Sequence, residues 1–128
     1  MKEYYKNLNL DIQNFEFCQT TTENITKLLE EINPNKAVGI DNLSGRFLKD
    51  GGSILASPMT ALCNLSINLS KFPDKCKIAK LKALYKKGSS LDTKNYRPIS
   101  LLPLISKFFE KIIHDQTQEY LDVNKVFI

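Results

Sequence analysis

Apolar positions recur at helical spacing along most of the chain and at strand spacing near residue 80. Ile25, Leu28, Leu29 and Ile32 fall at i, i+3, i+4 and i+7, one stripe of an amphipathic helix. Thr20-Thr21-Thr22-Glu23 precedes them and reads as a capping box with Thr20 as N-cap. Asn33-Pro34-Asn35 ends that helix, because a residue before proline is pushed out of the helical region. Lys36-Ala37-Val38-Gly39-Ile40-Asp41 then reads as an irregular loop. Residues 43–49 predict a short helix closed by Gly51-Gly52. Ser53 caps a longer one in which Ile54, Leu55, Met59, Leu62, Cys63, Leu65 and Leu69 face inward. Pro58 falls near its first turn, where a missing N–H does little harm, and Phe72-Pro73 follows its end.

From Ile78 to Tyr85 the period changes to two. Ala79, Leu81, Ala83 and Tyr85 face one side, and Lys80, Lys82, Leu84 and Lys86 the other, the pattern of a half-exposed strand with a basic face. Residues 87–94 are polar, with one Gly and two Ser, and read as a flexible connection. Residues 96–101 read as a second strand with Arg97, Ile99 and Leu101 on one side, and Pro98 confines it to an edge. The two form a β-hairpin with a long, mobile tip. Pro103 starts a last helix running to about Leu121, its stripe formed by Leu104, Ile105, Phe108, Phe109, Ile112, Ile113, Tyr120 and Leu121. The fold class expected is α+β, mainly helical with one hairpin.

Composition narrows the class further. At 128 residues and 42% hydrophobic, the chain suits one modest core and is too apolar for disorder. No apolar run approaches the ~20 residues of a membrane helix, and Met1-Lys2-Glu3-Tyr4-Tyr5-Lys6-Asn7 leads into no apolar signal segment. Cys18, Cys63 and Cys76 are odd in number and widely spaced, which argues against a disulfide framework or zinc site and fits a reducing compartment. An intracellular setting, nucleus or cytoplasm, is expected. The net charge of +4 is segregated: residues 1–70 sum to −2, 71–111 to +8 and 112–128 to −2. The break near residue 70 divides a helical N-terminal part, 1–70, from a basic hairpin and helix, 71–128. A local excess that dense attracts a polyanion, or else is a solvated lysine-rich face.

The chemistry of catalysis is sparse. The one histidine, His114, lies in a helix with no Ser or Cys motif near it, and reads as a surface residue. Gly51-Gly52 and Gly88 form no phosphate-binding fingerprint. Asp115, Glu119 and Asp122 share parts of a helix face and read as solvated carboxylates in preference to metal ligands. No catalytic residue and no metal site is expected.

Four segments in order, over roughly residues 15–125, resemble the motifs of one protein family. Asn35-Lys36-Ala37-Val38-Gly39-Ile40-Asp41-Asn42-Leu43, with Phe47-Leu48-Lys49, resembles the family's "K-A-x-G-x-D-x-(I/L)" segment. Asn64-Leu65-Ser66 and Phe72-Pro73-Asp74-Lys75-Cys76-Lys77-Ile78-Ala79-Lys80 resemble "N-x-S…F-P-x-x-x-K-x-A". Leu84-Tyr85-Lys86-Lys87-Gly88 is similar to "(L/I)-(Y/H)-K-K-G", and Asn95-Tyr96-Arg97-Pro98-Ile99-Ser100-Leu101-Leu102 to "N-Y-R-P-I-S-L-L". Ser106-Lys107 and Phe109-Glu110-Lys111-Ile112-Ile113 follow. The chain departs from the family at Ala83, where a proline is usual.

In this order the segments resemble the opening part of reverse transcriptases from non-LTR retrotransposons, the long-interspersed-element type. The resemblance implies a fingers-type module of an RNA-directed DNA polymerase, whose hairpin folds over the template and incoming nucleotide. It implies that Lys86 and Arg97 contact the triphosphate, with Lys80, Lys82 and Lys87 as supporting contacts to nucleic acid; Lys87 competes with Lys86. Arginine's planar fork grips phosphate oxygens bidentately and lysine supplies a mobile charge. Alternatively, Arg97 is fixed by Asp92 or Glu110. Gly39 reads as permitting an unusual backbone angle, and Asp41 as a turn or cap residue. The partners implied are an RNA template, a DNA primer and a deoxynucleotide triphosphate. The chain stops at Val126-Phe127-Ile128, before the point where the family's palm and its aspartates would begin. Mg²⁺ is implied only with that palm. The expectation is therefore a part inactive alone; alternatives are a free-standing nucleic-acid-binding module and a transposon relic whose exposed last helix self-associates.

Overall fold

The computed structural model describes residues 14–124, so the readings that rest on residues 1–7 and 126–128 lie outside it. Helices α1 (Thr22–Glu30), α2 (Gly45–Asn68) and α3 (Leu104–Val123) form the body, and strands β1 (Lys80–Tyr85) and β2 (Tyr96–Leu101) form one antiparallel hairpin between α2 and α3. Short 3₁₀ turns occupy Asp74–Lys77 and Thr93–Asn95. The α+β class and the order of elements are as the hydrophobic pattern predicts.

The core is made by the helices. Ile25 and Leu29 of α1, Leu48, Met59 and Cys63 of α2, and Leu104, Phe108, Phe109 and Ile112 of α3 are all buried together. Burial of such side chains contributes roughly 1.5–3 kcal/mol each and dominates the stability of the body. Residues from both sides of position 70 therefore share one core. The expected exposure of the α3 stripe is met only in part: Phe108 and Phe109 are 4% and 3% exposed, while Ile105, Ile113, Tyr120 and Leu121 are half-buried.

Other expectations need correction. The N-cap of α1 is Thr21, whose side chain accepts the Asn24 N–H at 3.2 Å, one residue later than expected. Glu23 then sits in the first turn, and hydrogen bonds from its own amide and Thr21 hold its carboxyl below the usual range. Thr20 is buried and does other work. Its N–H donates to Asn64 Oδ1 (2.8 Å) and its C=O accepts from Asn64 Nδ2 (3.0 Å). Gln116 brackets Cys18 in the same way, at 2.8 and 2.9 Å. Two side-chain amides thus strap the extended segment before α1 to α2 and α3, giving its backbone the partners that a sheet would otherwise supply.

Residues 45–68 run as one helix broken at Gly52 (φ +36°, ψ −122°), so the expected pair of helices is present with a kink between them. Ser44 caps the first by accepting the Phe47 N–H at 3.1 Å. In the second, Ala56, Met59 and Cys63 face inward, whereas Ile54 is 82%, Leu65 54% and Leu69 63% exposed. Met59 and Cys63 of the expected stripe are thus inward, with Leu55 packed beside them, and its other members turn outward. Pro58 lies past the first turn and withholds a donor from the Ile54 carbonyl, at an exposed position.

Gly39 does not adopt a positive φ. A Cβ there would lie 2.8 Å from the Pro103 backbone, so glycine is required by a close approach between the 36–41 loop and the β2–α3 junction. Gly39→Ala is expected to cost about 1–3 kcal/mol by forcing the two backbones apart, read as a lower urea midpoint with an unchanged slope.

Cys63 and Cys76 are buried free thiols and Cys18 is an exposed one. Burial pushes the Cys63 thiol up to about 11. No described helix is long and apolar enough to cross a membrane.

Candidate nucleic-acid interface

The hairpin register sets which side chains share a face. Lys80 lies opposite Leu101, Lys82 opposite Ile99 and Leu84 opposite Arg97. Cross-strand partners project to the same side, so Lys80, Lys82 and Arg97 line one face. The Lys86 N–H donates to the Asn95 C=O at 2.8 Å, which continues the ladder by one pair and brings Lys86 onto that face too. Lys86 is then the diagonal neighbour of Arg97, with Cβ atoms about 7–8 Å apart in such a geometry. Lys87 sits in the bend that begins the tip, off the ladder. The register thus separates Lys86 from Lys87, which sequence alone left in competition.

No residue of β1 is buried, and Leu81 is 70% exposed. The expected half-buried strand is therefore exposed on both faces. The hairpin projects from the helical body, and its shape is held mainly from within.

The tip carries its own set of hydrogen bonds. Asn95 Nδ2 donates to the Ser89 C=O (2.9 Å), Tyr96 Oη to the Ser90 C=O (2.9 Å), and Tyr85 Oη to the Gly88 C=O. Asp92 caps the 3₁₀ turn by accepting the Lys94 N–H at 3.0 Å. Gly88 has φ +97°, and a Cβ there would meet Asn95 Nδ2 at 2.7 Å. The rings of Tyr85 and Tyr96 stand 5.5 Å apart. Tyr85, Gly88, Asn95 and Tyr96 thus shape the turn that presents Lys86 and Arg97. Alternation along the strands could not reveal this, because these contacts run back from strand ends to the tip.

Charge partners sharpen the picture. Lys77 pairs with Asp74 at 2.8 Å, Lys107 with Glu110 at 2.7 Å and Lys111 with Asp115 at 2.8 Å. These neighbours hold the Asp74 and Asp115 carboxyls below their usual range and lift the Lys111 ammonium. Glu110 is thus engaged by Lys107, and Asp92 by its cap. Among the described residues Lys80, Lys82, Lys86, Lys87 and Arg97 make no ion pair. The unneutralised part of the +8 stretch therefore concentrates on the hairpin. Asp41 accepts the Leu43 N–H at 3.3 Å, a turn residue as expected.

A second basic feature lies on the body. A cavity of about 270 Å³ has Leu28, Ile32 and Phe108 on its floor and Lys36, Lys107 and Lys111 on its rim. Two of those lysines already hold carboxylates. No three His, Cys, Asp or Glu side chains converge at metal distance among the described residues. His114 and Asp115 are a surface pair at 3.2 Å. The donor set does not fit the carboxylate cradle that a two-Mg²⁺ phosphoryl transfer needs.

No protein-family model matches the chain. It is 31% identical over 107 residues to a probable RNA-directed DNA polymerase from transposon X-element of Drosophila melanogaster, covering 83% of this chain and 11% of that protein. It is also 31% identical over 97 residues to the RNA-directed DNA polymerase from mobile element jockey of Drosophila funebris, covering 73% of this chain and 10% of the relative. A probable polymerase from transposon BS of Drosophila melanogaster is 26% identical over 105 residues, with 81% and 12% covered. The chain thus spans about a tenth of the length of the curated relatives it matches. Over that tenth, it is similar to RNA-directed DNA polymerases of mobile elements.

Proposed function

We propose that this chain supplies the phosphate-contacting hairpin of a fingers-type module in a mobile-element reverse transcriptase. Lys86 and Arg97 take the triphosphate of the incoming deoxynucleotide. Lys80, Lys82 and Lys87 contact the backbone of the RNA template and DNA primer. The observation that carries this reading is the shared face of Lys80, Lys82, Lys86 and Arg97, none of which makes an ion pair among the described residues. Cations so placed stabilise charge that builds on a departing pyrophosphate. In this reading the catalytic carboxylates and their Mg²⁺ are supplied by the family's palm. Its three free thiols suit an intracellular setting, nucleus or cytoplasm.

A second reading is a free-standing, non-catalytic nucleic-acid-binding module. The burial of Leu104, Phe108, Phe109 and Ile112 of α3 in this chain's own core favours it, since that part of the helix is already covered by the helical body.

Fluorescence anisotropy with single-stranded RNA across a salt series tests the shared part of both readings. Three phosphate contacts, from Lys80, Lys82 and Lys87, give a log–log slope of about −2, and removing Lys80 and Lys82 together lowers it by about two thirds. A slope near zero would overturn phosphate-driven binding.

A further inference from the structure

The hairpin is a sheet of two strands, so each strand has one open edge. The Lys86–Asn95 hydrogen bond fixes how the backbone groups alternate. With Leu84 opposite Arg97 and Lys82 opposite Ile99, these residues bond across the ladder, while Leu81, Ala83 and Tyr85 turn their N–H and C=O groups outward. On β2 the outward positions are Tyr96, Pro98 and Ser100. Pro98 has no N–H to offer, and its ring blunts the middle of that edge. The edge of β1 has no such block. The amides of Leu81, Ala83 and Tyr85 meet no acceptor among the described residues, and every residue of β1 is exposed.

We propose that the outer edge of β1 accepts an extended acidic segment of a partner protein as a third strand. Main-chain groups supply the affinity in such strand addition, and alternate side chains supply the choice of partner. Both faces of β1 specify that choice. On one face stand Lys80, Lys82 and Lys86, none of them ion-paired. Aspartate or glutamate at alternate positions of the incoming strand would sit beside them. On the other face Leu81, Ala83, Tyr96 and Pro98, with Thr93, line a cavity of about 380 Å³ that takes the intervening apolar side chains. The partner segment therefore alternates acidic and apolar residues.

A second copy of this chain is the wrong occupant. Pairing β1 antiparallel to itself about Ala83 sets Lys80 opposite Lys86, and shifting the register by one step sets Lys82 opposite itself or opposite Lys86. Like charges directly opposite destabilise a strand pair.

This inference does not depend on the triphosphate reading, and its test separates the two. A fluorescein-labelled peptide alternating glutamate and valine is titrated into the whole chain, and amide exchange is followed in the complex. The expected result is saturable binding with slowed exchange at Leu81, Ala83 and Tyr85. Ala83→Pro removes the central outward N–H while leaving every lysine, so it should weaken the peptide by about tenfold and leave RNA binding as in the wild type. The RNA arm also shows that the variant is folded. On the peptide side, N-methylation at alternate residues, which leaves charge unchanged, should abolish binding. Binding that survives both changes, protection on β2 in place of β1, or a chain dimer forming instead of the peptide complex would each overturn the proposal.

Discussion

Replacing Phe109 by alanine is expected to remove about 3–5 kcal/mol of stability, the largest effect of any single substitution considered for the body. Phe109 is 3% exposed, and its ring meets Phe72 edge-on at 5.4 Å. Phe72 follows the end of α2 and leads towards β1, so this contact ties the approach to the hairpin onto α3. The loss has two parts. Transfer of the ring to water is one, and the enlarged void is the other, because Phe109 already borders a cavity of about 250 Å³ between α2 and α3. A domain of this size is stable by only about 5–15 kcal/mol, so about a fifth or more would vanish. The urea midpoint should fall by on the order of 2 M with little change in slope. A shift of only a few tenths of that would show that Phe109 is not central to the core.

Arg97→Ala should leave the midpoint nearly unchanged and weaken deoxynucleotide triphosphate binding by about tenfold to a hundredfold. Arg97 is exposed and has no ion-pair partner among the described residues, so stability has little to lose. Charge-assisted bonds to phosphate are worth about 1.5–3 kcal/mol, which sets the size of the effect. Arg97→Lys keeps the charge and loses the planar fork, so it should recover only part of the affinity. Isothermal titration of wild type and both variants reads the series. Full recovery by lysine would reduce Arg97 to a point charge, and no loss in the alanine variant would remove it from the site.

Much of this was legible in the residue pattern. Period-two alternation located β1 and β2, and it put Lys80, Lys82 and Lys86 on one side and Arg97 with Ile99 on one side. Only the register joins those two sides into one face, and register follows from tip geometry that no alternation encodes. The i, i+3, i+4 spacing located α1 and α3 well. It placed Met59 and Cys63 of α2 correctly but put Ile54, Leu62 and Leu65 inward as well, because apolar residues surround that helix. Thr20 misled for a different reason. Three consecutive threonines are equal candidates for a cap, and the choice fell to Thr21 because Asn64 captures the backbone of Thr20 from a distant helix. The Gly39 requirement is likewise long-range, a backbone contact with Pro103 that no local rule contains.

The central claim is that phosphate is held on the Lys80–Lys82–Lys86–Arg97 face of the hairpin. Titrating deoxynucleotide triphosphate or single-stranded RNA into the isotopically labelled chain, and following amide and arginine side-chain resonances by NMR, tests it most directly. Perturbations should concentrate at Lys80, Lys82, Lys86 and the Arg97 guanidinium. Perturbations centred instead on Lys36, Lys107 and Lys111 around the cavity on the helical body would contradict it.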